Sequence, residues 1–295
     1  VHVDSAGPVI GFDGASFLLQ WAAGGLLFLW VTTRGRIVSL GYGWLMRATY
    51  GLMALGSWAV GAFVIEPMPV RDYSALACAI AAFAVLGASI ARRSAGVSGH
   101  VERAEARTAR VAAMTGIERD TAERDEGAHE FDPRLDLIGP VLGFVGVVAA
   151  GVAAPAGDAA TWLAVARFVV GAAFLGAVTD AMLLGHWYLV QPGLPRGPLL
   201  EMVRWTGWLW VPQVLLLFVP PGMQLALSGQ IDDGYGGLLG WFWLACALTT
   251  GGLVVVTRLA LRERQYSAVM AATGLLYLAI LTAFGTDLVA RALLA

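Results

Sequence analysis

The chain has 295 residues, 58% of them hydrophobic and only 14% charged, with a formal net charge of −2 and a mean hydropathy of +0.71. A soluble globular domain runs at roughly 25% charged, so the composition argues against one. Without a basic patch interleaved with exposed aromatics, it also argues against a nucleic-acid partner. The two cysteines, Cys78 and Cys246, lie in apolar runs outside any CxxC or Cys/His cluster. Iron–sulfur, structural zinc and c-type haem attachment are therefore unsupported, and both read as small buried hydrophobes.

The opening VHVDSAGPVIGFDGAS lacks a basic n-region followed by an apolar run, so no removable signal peptide is expected. A spanning helix needs about 20 mostly apolar residues. Segments 15–33, 45–65, 74–91, 136–154, 160–188, 200–219, 235–257 and 266–292 qualify. The predicted fold is all-α: a polytopic integral membrane helical bundle of about eight transmembrane helices. Helices one to three occupy 1–91, a cytoplasmic loop 92–135, and helices four to eight 136–295. The loop balances eight arginines against nine acids. Its VERAEARTARVAAM stretch favours helix, whereas GIERDTAERDEGAHEFDPRLD is too polar to fold alone. His100 and His129 read as ordinary loop histidines.

Every one of the 19 basic residues is an arginine, and 16 fall in or beside the odd-numbered loops. The positive-inside rule then places those loops in the cytoplasm and both termini outside, in the cell's inner (plasma) membrane. Tyr42, Trp44, Trp187 and Tyr188 suit the inner interface, and Tyr235, Trp241 and Trp243 the outer one. The two halves echo each other. LACAI at 76–80 matches LACAL at 244–248, and MRATYGL at 46–52 loosely matches VRWTGWL at 203–209. Four spans per half predict a 4+4 parallel repeat about an axis normal to the membrane. The layout is similar to the quinone-interacting membrane subunits of the NrfD/PsrC type. That resemblance rests on topology alone, covers no motif and carries no residues across.

The fifth span holds Arg167, Asp180 and His186. A charge in hydrocarbon costs about 2.5–3.5 kcal/mol on insertion scales, so such residues mark candidate sites. At 1.5 Å per residue Arg167 and Asp180 stand about 20 Å apart and need separate partners. Arg167 goes with an outer cluster containing the i, i+4 pair Asp287 and Arg291, with Glu66 or a carbonyl as other partners. Asp180 goes with an inner one, where Arg47, Glu201, Arg204 and Arg258 lie; Glu201 and Arg204 are spaced to pair. Gln20 and Gln213 add mid-membrane polarity, and Pro212 should kink the sixth helix. Pro192, Pro195 and Pro198 stiffen the turn between the fifth and sixth spans. Gly139-x-x-x-Gly143 and Gly236-x-x-x-Gly240 permit close helix contact.

The inner set, Asp180, His186, Tyr188, Glu201, Arg204, Trp205 and Trp208, with Trp187 as a further wall, reads as a ligand pocket. It suits a quinone headgroup, whose carbonyls need donors and whose reduction takes up protons. Bis-His haem ligation is ruled out by a single intramembrane histidine, and His186 with Met182 or Met202 is the remaining haem option. No catalytic residue, metal site or cofactor of its own is expected; the bound molecule would be quinone or lipid. The leading reading is an integral subunit of a respiratory or redox complex that binds quinone or anchors other membrane or cytoplasmic subunits through loop 92–135. The alternatives are a transporter or channel and an assembly scaffold. An enzyme ranks last, because no HExxH or nucleophile elbow is present.

Overall fold

The computed structural model describes residues 13–93, 100–116, 131–154, 160–191, 193–219 and 222–294. The opening segment, His129, the side chain of His100 and Pro192 lie outside them. Among the described residues ten α-helices occur: α1 Gly14–Thr33, α2 Leu40–Phe63, α3 Pro69–Ala91, α4 His100–Thr115, α5 Ile138–Ala153, α6 Thr161–Val190, α7 Gly197–Phe218, α8 Met223–Leu227, α9 Leu238–Ala260 and α10 Tyr266–Leu294. Among the described residues there is no strand. Local signals explain the boundaries. Asp13 caps α1 by accepting from the Ser16 amide at 3.1 Å. Proline opens α3 and α7, where its missing N–H costs nothing. Asp132 caps the 3-10 turn Pro133–Leu137 that leads into α5.

Six helical segments are long and apolar enough to cross a membrane: α1, α3, α5 with its leading turn, α6, α9 and α10. The expectation of about eight is met only to that extent. Helices α2 and α7 match the others in length, but Arg47 in α2, Glu201 and Arg204 in α7, and several Gly, Trp and Tyr residues lower their apolarity. Large apolar side chains such as Leu52, Val141, Trp162 and Leu281 are exposed on the outside of the bundle. That surface is the inverse of a soluble one and fits contact with a lipid bilayer.

Leaving α4 aside, the eight long helices among the described residues alternate in direction. At the near end, Asp13 beside α1 meets Arg71 at the start of α3, and Arg167 near the start of α6 meets the end of α7. At the far end, Thr33 of α1 meets Asp136, and Arg34 meets Glu201 at the start of α7. Helices α1, α2, α3 and α5 close into a ring in which each packs on the next and α5 returns to α1. Helices α6, α7, α9 and α10 close in the same order.

The rings join mainly through α1 and α6, the two helices with the most buried apolar windows. They cross at Gly24 and Gly176. A Cβ on Gly24 would stand 1.8 Å from the Ala172 carbonyl oxygen, and one on Gly176 2.1 Å from the Gly24 carbonyl carbon. Only glycine permits that approach, the usual device where lipid supplies no hydrophobic force between helices. Each ring also seats a cysteine against a glycine of its last helix. Cys78 Sγ lies 3.2 Å from where Gly143 would carry a Cβ, and Cys246 Sγ 2.8 Å from the same point on Gly285. Both cysteines are free and buried.

Candidate functional site

Asp180 lies on the buried face of α6 and has no exposed surface. Its Oδ1 accepts a 2.5 Å hydrogen bond from the Tyr50 hydroxyl of α2. The Tyr50 ring reaches it through space left by Gly25 of α1, where a Cβ would fall 2.2 Å from ring carbons. Asp180 Oδ2 has no hydrogen-bond partner, and neither has the buried hydroxyl of Tyr42 two turns away on the same face of α2. No cationic side chain pairs with Asp180 among the described residues. A buried carboxyl met by a single hydroxyl rather than an arginine can hold or release a proton without breaking an ion pair.

His186 lies six residues further along α6. At 100° per residue that places it about 120° around the helix from Asp180. It is exposed on the outside of the bundle, where Nδ1 meets the Tyr277 hydroxyl of α10 at 3.1 Å. The rings are edge to face with centroids 6.2 Å apart. If the tyrosine donates to Nδ1, a neutral ring carries its proton on Nε2.

The rest of the inner set takes other places. Tyr188 donates to the Pro195 carbonyl, which fastens the proline-rich turn. Glu201 pairs with Arg34 at 2.5 Å rather than with Arg204, which is exposed. Trp205 packs between Phe28 and Trp208, and Trp208 is 63% exposed. Trp187 stacks edge-on against Tyr42 and donates to Gln191. The structure therefore gathers a hydroxyl–carboxyl site around Asp180 and a separate surface pair at His186. Tyr188 and Glu201 face other partners, and Arg204 is exposed.

The outer residues also divide. Arg167 donates to the carbonyls of Leu216 and Val219 at 2.8 and 3.0 Å and so caps the end of α7. A carbonyl was one of its expected partners. Asp287 and Arg291 pair at 2.5 Å, and the Gln213 amide donates to Asp287 at 3.2 Å. The Gln20 amide donates to the Phe168 carbonyl at 2.6 Å.

Two buried arginine clusters complete the picture, and in the first of them Arg47, expected beside Asp180 in the inner set, takes a different acid. Arg47 grips both oxygens of Asp136 at 2.7 and 2.8 Å, with each side chain 2% exposed. Thr33 donates to the same carboxylate, Ser89 accepts from Arg47, and the Phe131 ring lies 4.7 Å from the guanidinium. Arg71 pairs with Asp72 and Asp13 at 2.7 and 3.0 Å. The signal for the first was present: Asp136 is the only acid between Asp132 and Asp158, at the mouth of a span.

No three His, Cys, Asp or Glu side chains converge to hold a metal among the described residues. An open apolar groove of about 490 Å³ runs along α5, lined by Leu27, Leu137, Pro140, Val141, Phe144, Val145 and Val148. It offers an acyl chain room but no polar contact. No protein-family model, curated protein or solved structure matches the chain.

Proposed function

We propose that this chain is an eight-span integral membrane subunit of a respiratory or other redox assembly, and that it meets quinone at the His186–Tyr277 pair. The observation that carries the reading is that pair's position. A histidine and a tyrosine, hydrogen-bonded to each other, are exposed on the flank of the bundle near the end of a membrane helix. Quinone arrives laterally through the bilayer, so a donor pair on the flank is reachable without an internal channel. His186 Nε2 would donate to one carbonyl. Conversion to quinol takes two electrons and two protons, and the electrons would come from a redox-active partner subunit. Arginine asymmetry supports both termini outside with loop 92–135 cytoplasmic, available to that partner. The matching ring order and the paired cysteine–glycine contacts support a 4+4 repeat.

Native purification with mass spectrometry and lipid extraction tests this. Recovery with redox subunits and quinone is expected; recovery alone and quinone-free would sink it. His186→Ala and Tyr277→Phe should lower quinone-linked turnover by about 10²-fold if the pair acts in proton delivery. Unchanged turnover in both would return the pair to a packing role.

One observation favours a second reading, a proton-coupled transporter. Asp180 is a fully buried carboxyl without a cation, the kind of group that marks proton relays in membranes. In reconstituted vesicles, loss of substrate-driven proton uptake in Asp180→Asn, with His186→Ala intact, would favour this reading over the first.

A further inference from the structure

The near end of the bundle holds a polar cluster that neither reading uses. It is built from four helices around Gly171 of α6. Where a Cβ on Gly171 would stand, Asp287 Oδ1 lies 3.3 Å away, Gln20 Nε2 3.5 Å and Arg291 Nη2 3.6 Å. Glycine therefore leaves a methyl-sized space walled by polar groups of α1 and α10, and Gln213 of α7 reaches the same carboxylate. Gln20 and Gln213 are 0% and 1% exposed, yet the amide oxygen of each has no hydrogen-bond partner among the described residues.

Rotating either amide cannot cure this. Gln20 Nε2 faces the Phe168 carbonyl and Gln213 Nε2 faces the Asp287 carboxylate, so a flip would set oxygen against oxygen. Both amide oxygens are thus fixed as acceptors that need donors. A buried acceptor left unmet is destabilising, because folding removes its water and returns no donor. The donor must be small, since the space is methyl-sized. It must also be neutral, because Asp287 and Arg291 already cancel each other's charge and a buried extra cation would be unpaired. Water meets both conditions and can donate twice.

We infer that Gln20, Gln213, Asp287 and Arg291 enclose a water site around Gly171 that forms the inner end of an inlet from the near end of the bundle. Arg291 is the mouth. Its side chain is 17% exposed while Asp287 is 3% exposed, and its guanidinium lies 5.5 and 5.4 Å from the rings of Phe17 and Phe168. The inlet stops about two turns inside the end of α10, and Thr179 with its donor Trp21 stands further along α6 toward Asp180. The site takes water and excludes ions.

Radiolytic hydroxyl-radical footprinting of the full chain in lipid nanodiscs tests this, because radiolysis of water held against a ring generates hydroxyl radical that oxidises that ring in place. Phe17 and Phe168 should oxidise at least about threefold faster than the fully buried Phe174, as expected of rings beside bound water. In Gly171→Ala the added methyl occupies the space, and the two rates should fall to that of Phe174. Gln213→Leu, which removes one acceptor, serves as a second variant if the first fails to fold. Equal rates for the three rings in the unaltered protein would overturn the inference. So would rates that both variants leave unchanged.

Discussion

Asp136 and Asp180 are both buried acids of the same membrane bundle, and they are treated in opposite ways. Asp136 is gripped at both oxygens by Arg47, with a threonine hydroxyl added and a phenylalanine ring on the guanidinium. Asp180 receives one tyrosine hydroxyl and keeps an oxygen free. The first arrangement consumes the carboxylate: every lone pair worth using is engaged, and the result fastens the segment before α5 to α1 and α2. The second leaves the carboxyl able to change its proton. Burial alone therefore does not separate a structural acid from a working one. The partner set does.

Breaking the first arrangement should have the largest effect. Arg47→Ala strands the Asp136 charge, and removing one partner of a buried pair costs about 3–5 kcal/mol. Thermal unfolding in detergent should show that loss, and a melting temperature close to that of the parent would erase the contrast. Next in size, Gly24→Ala or Gly176→Ala drives a methyl into the facing backbone at the α1–α6 crossing. Overpacking of this kind costs about 1–3 kcal/mol, and both variants should melt lower than Gly87→Ala, where nothing lies within 4 Å. Asp180→Asn should change stability by about 1 kcal/mol or less, because the amide oxygen still accepts from Tyr50. A loss matching Arg47→Ala would show that Asp180 is a clamp after all.

The smallest effect concerns Asp233, in the turn before α9. Its carboxylate accepts from the amides of Gly237, Tyr235 and Leu239, which hold it below the usual aspartate range. A depressed native value means the unfolded chain binds the proton more readily. The contribution is complete above the usual aspartate range and disappears as pH falls through the lowered native value. Asp233→Asn should therefore flatten the acid limb of a stability–pH curve, while the neutral region shifts only slightly.

Much of the fold was readable because hydrophobic run length reports burial in lipid directly. The boundaries of α1, α6, α9 and α10 follow from it closely, whereas α3 begins at Pro69, before the apolar run that starts at 74. Partner choice was less readable, since side-chain pairing across helices depends on rotation and register. Glu201 and Arg204 were well spaced on one helix, but Arg34 from another reached the glutamate first. The Asp287–Arg291 pair was legible because both groups lie on one helix, four residues apart. Tyr50 and Tyr277 were missed as partners. A tyrosine in an apolar span reads as bulk until its hydroxyl is placed. A usable signal existed in α2, where Tyr42 and Tyr50, eight residues apart, share a face.

The crossing of α1 and α6 also sets a problem of timing. Gly24 and Gly176 are separated by 152 positions along the chain. At about 5–20 residues per second, a ribosome takes about 10–30 s to make the second after the first. During that interval α1 has its closest neighbour still unsynthesised, and the notch at Gly24 faces lipid or an insertion factor. The first ring can close around α2, α3 and α5 without it. Assembly of the whole protein then waits on a single late helix sliding into a groove prepared much earlier.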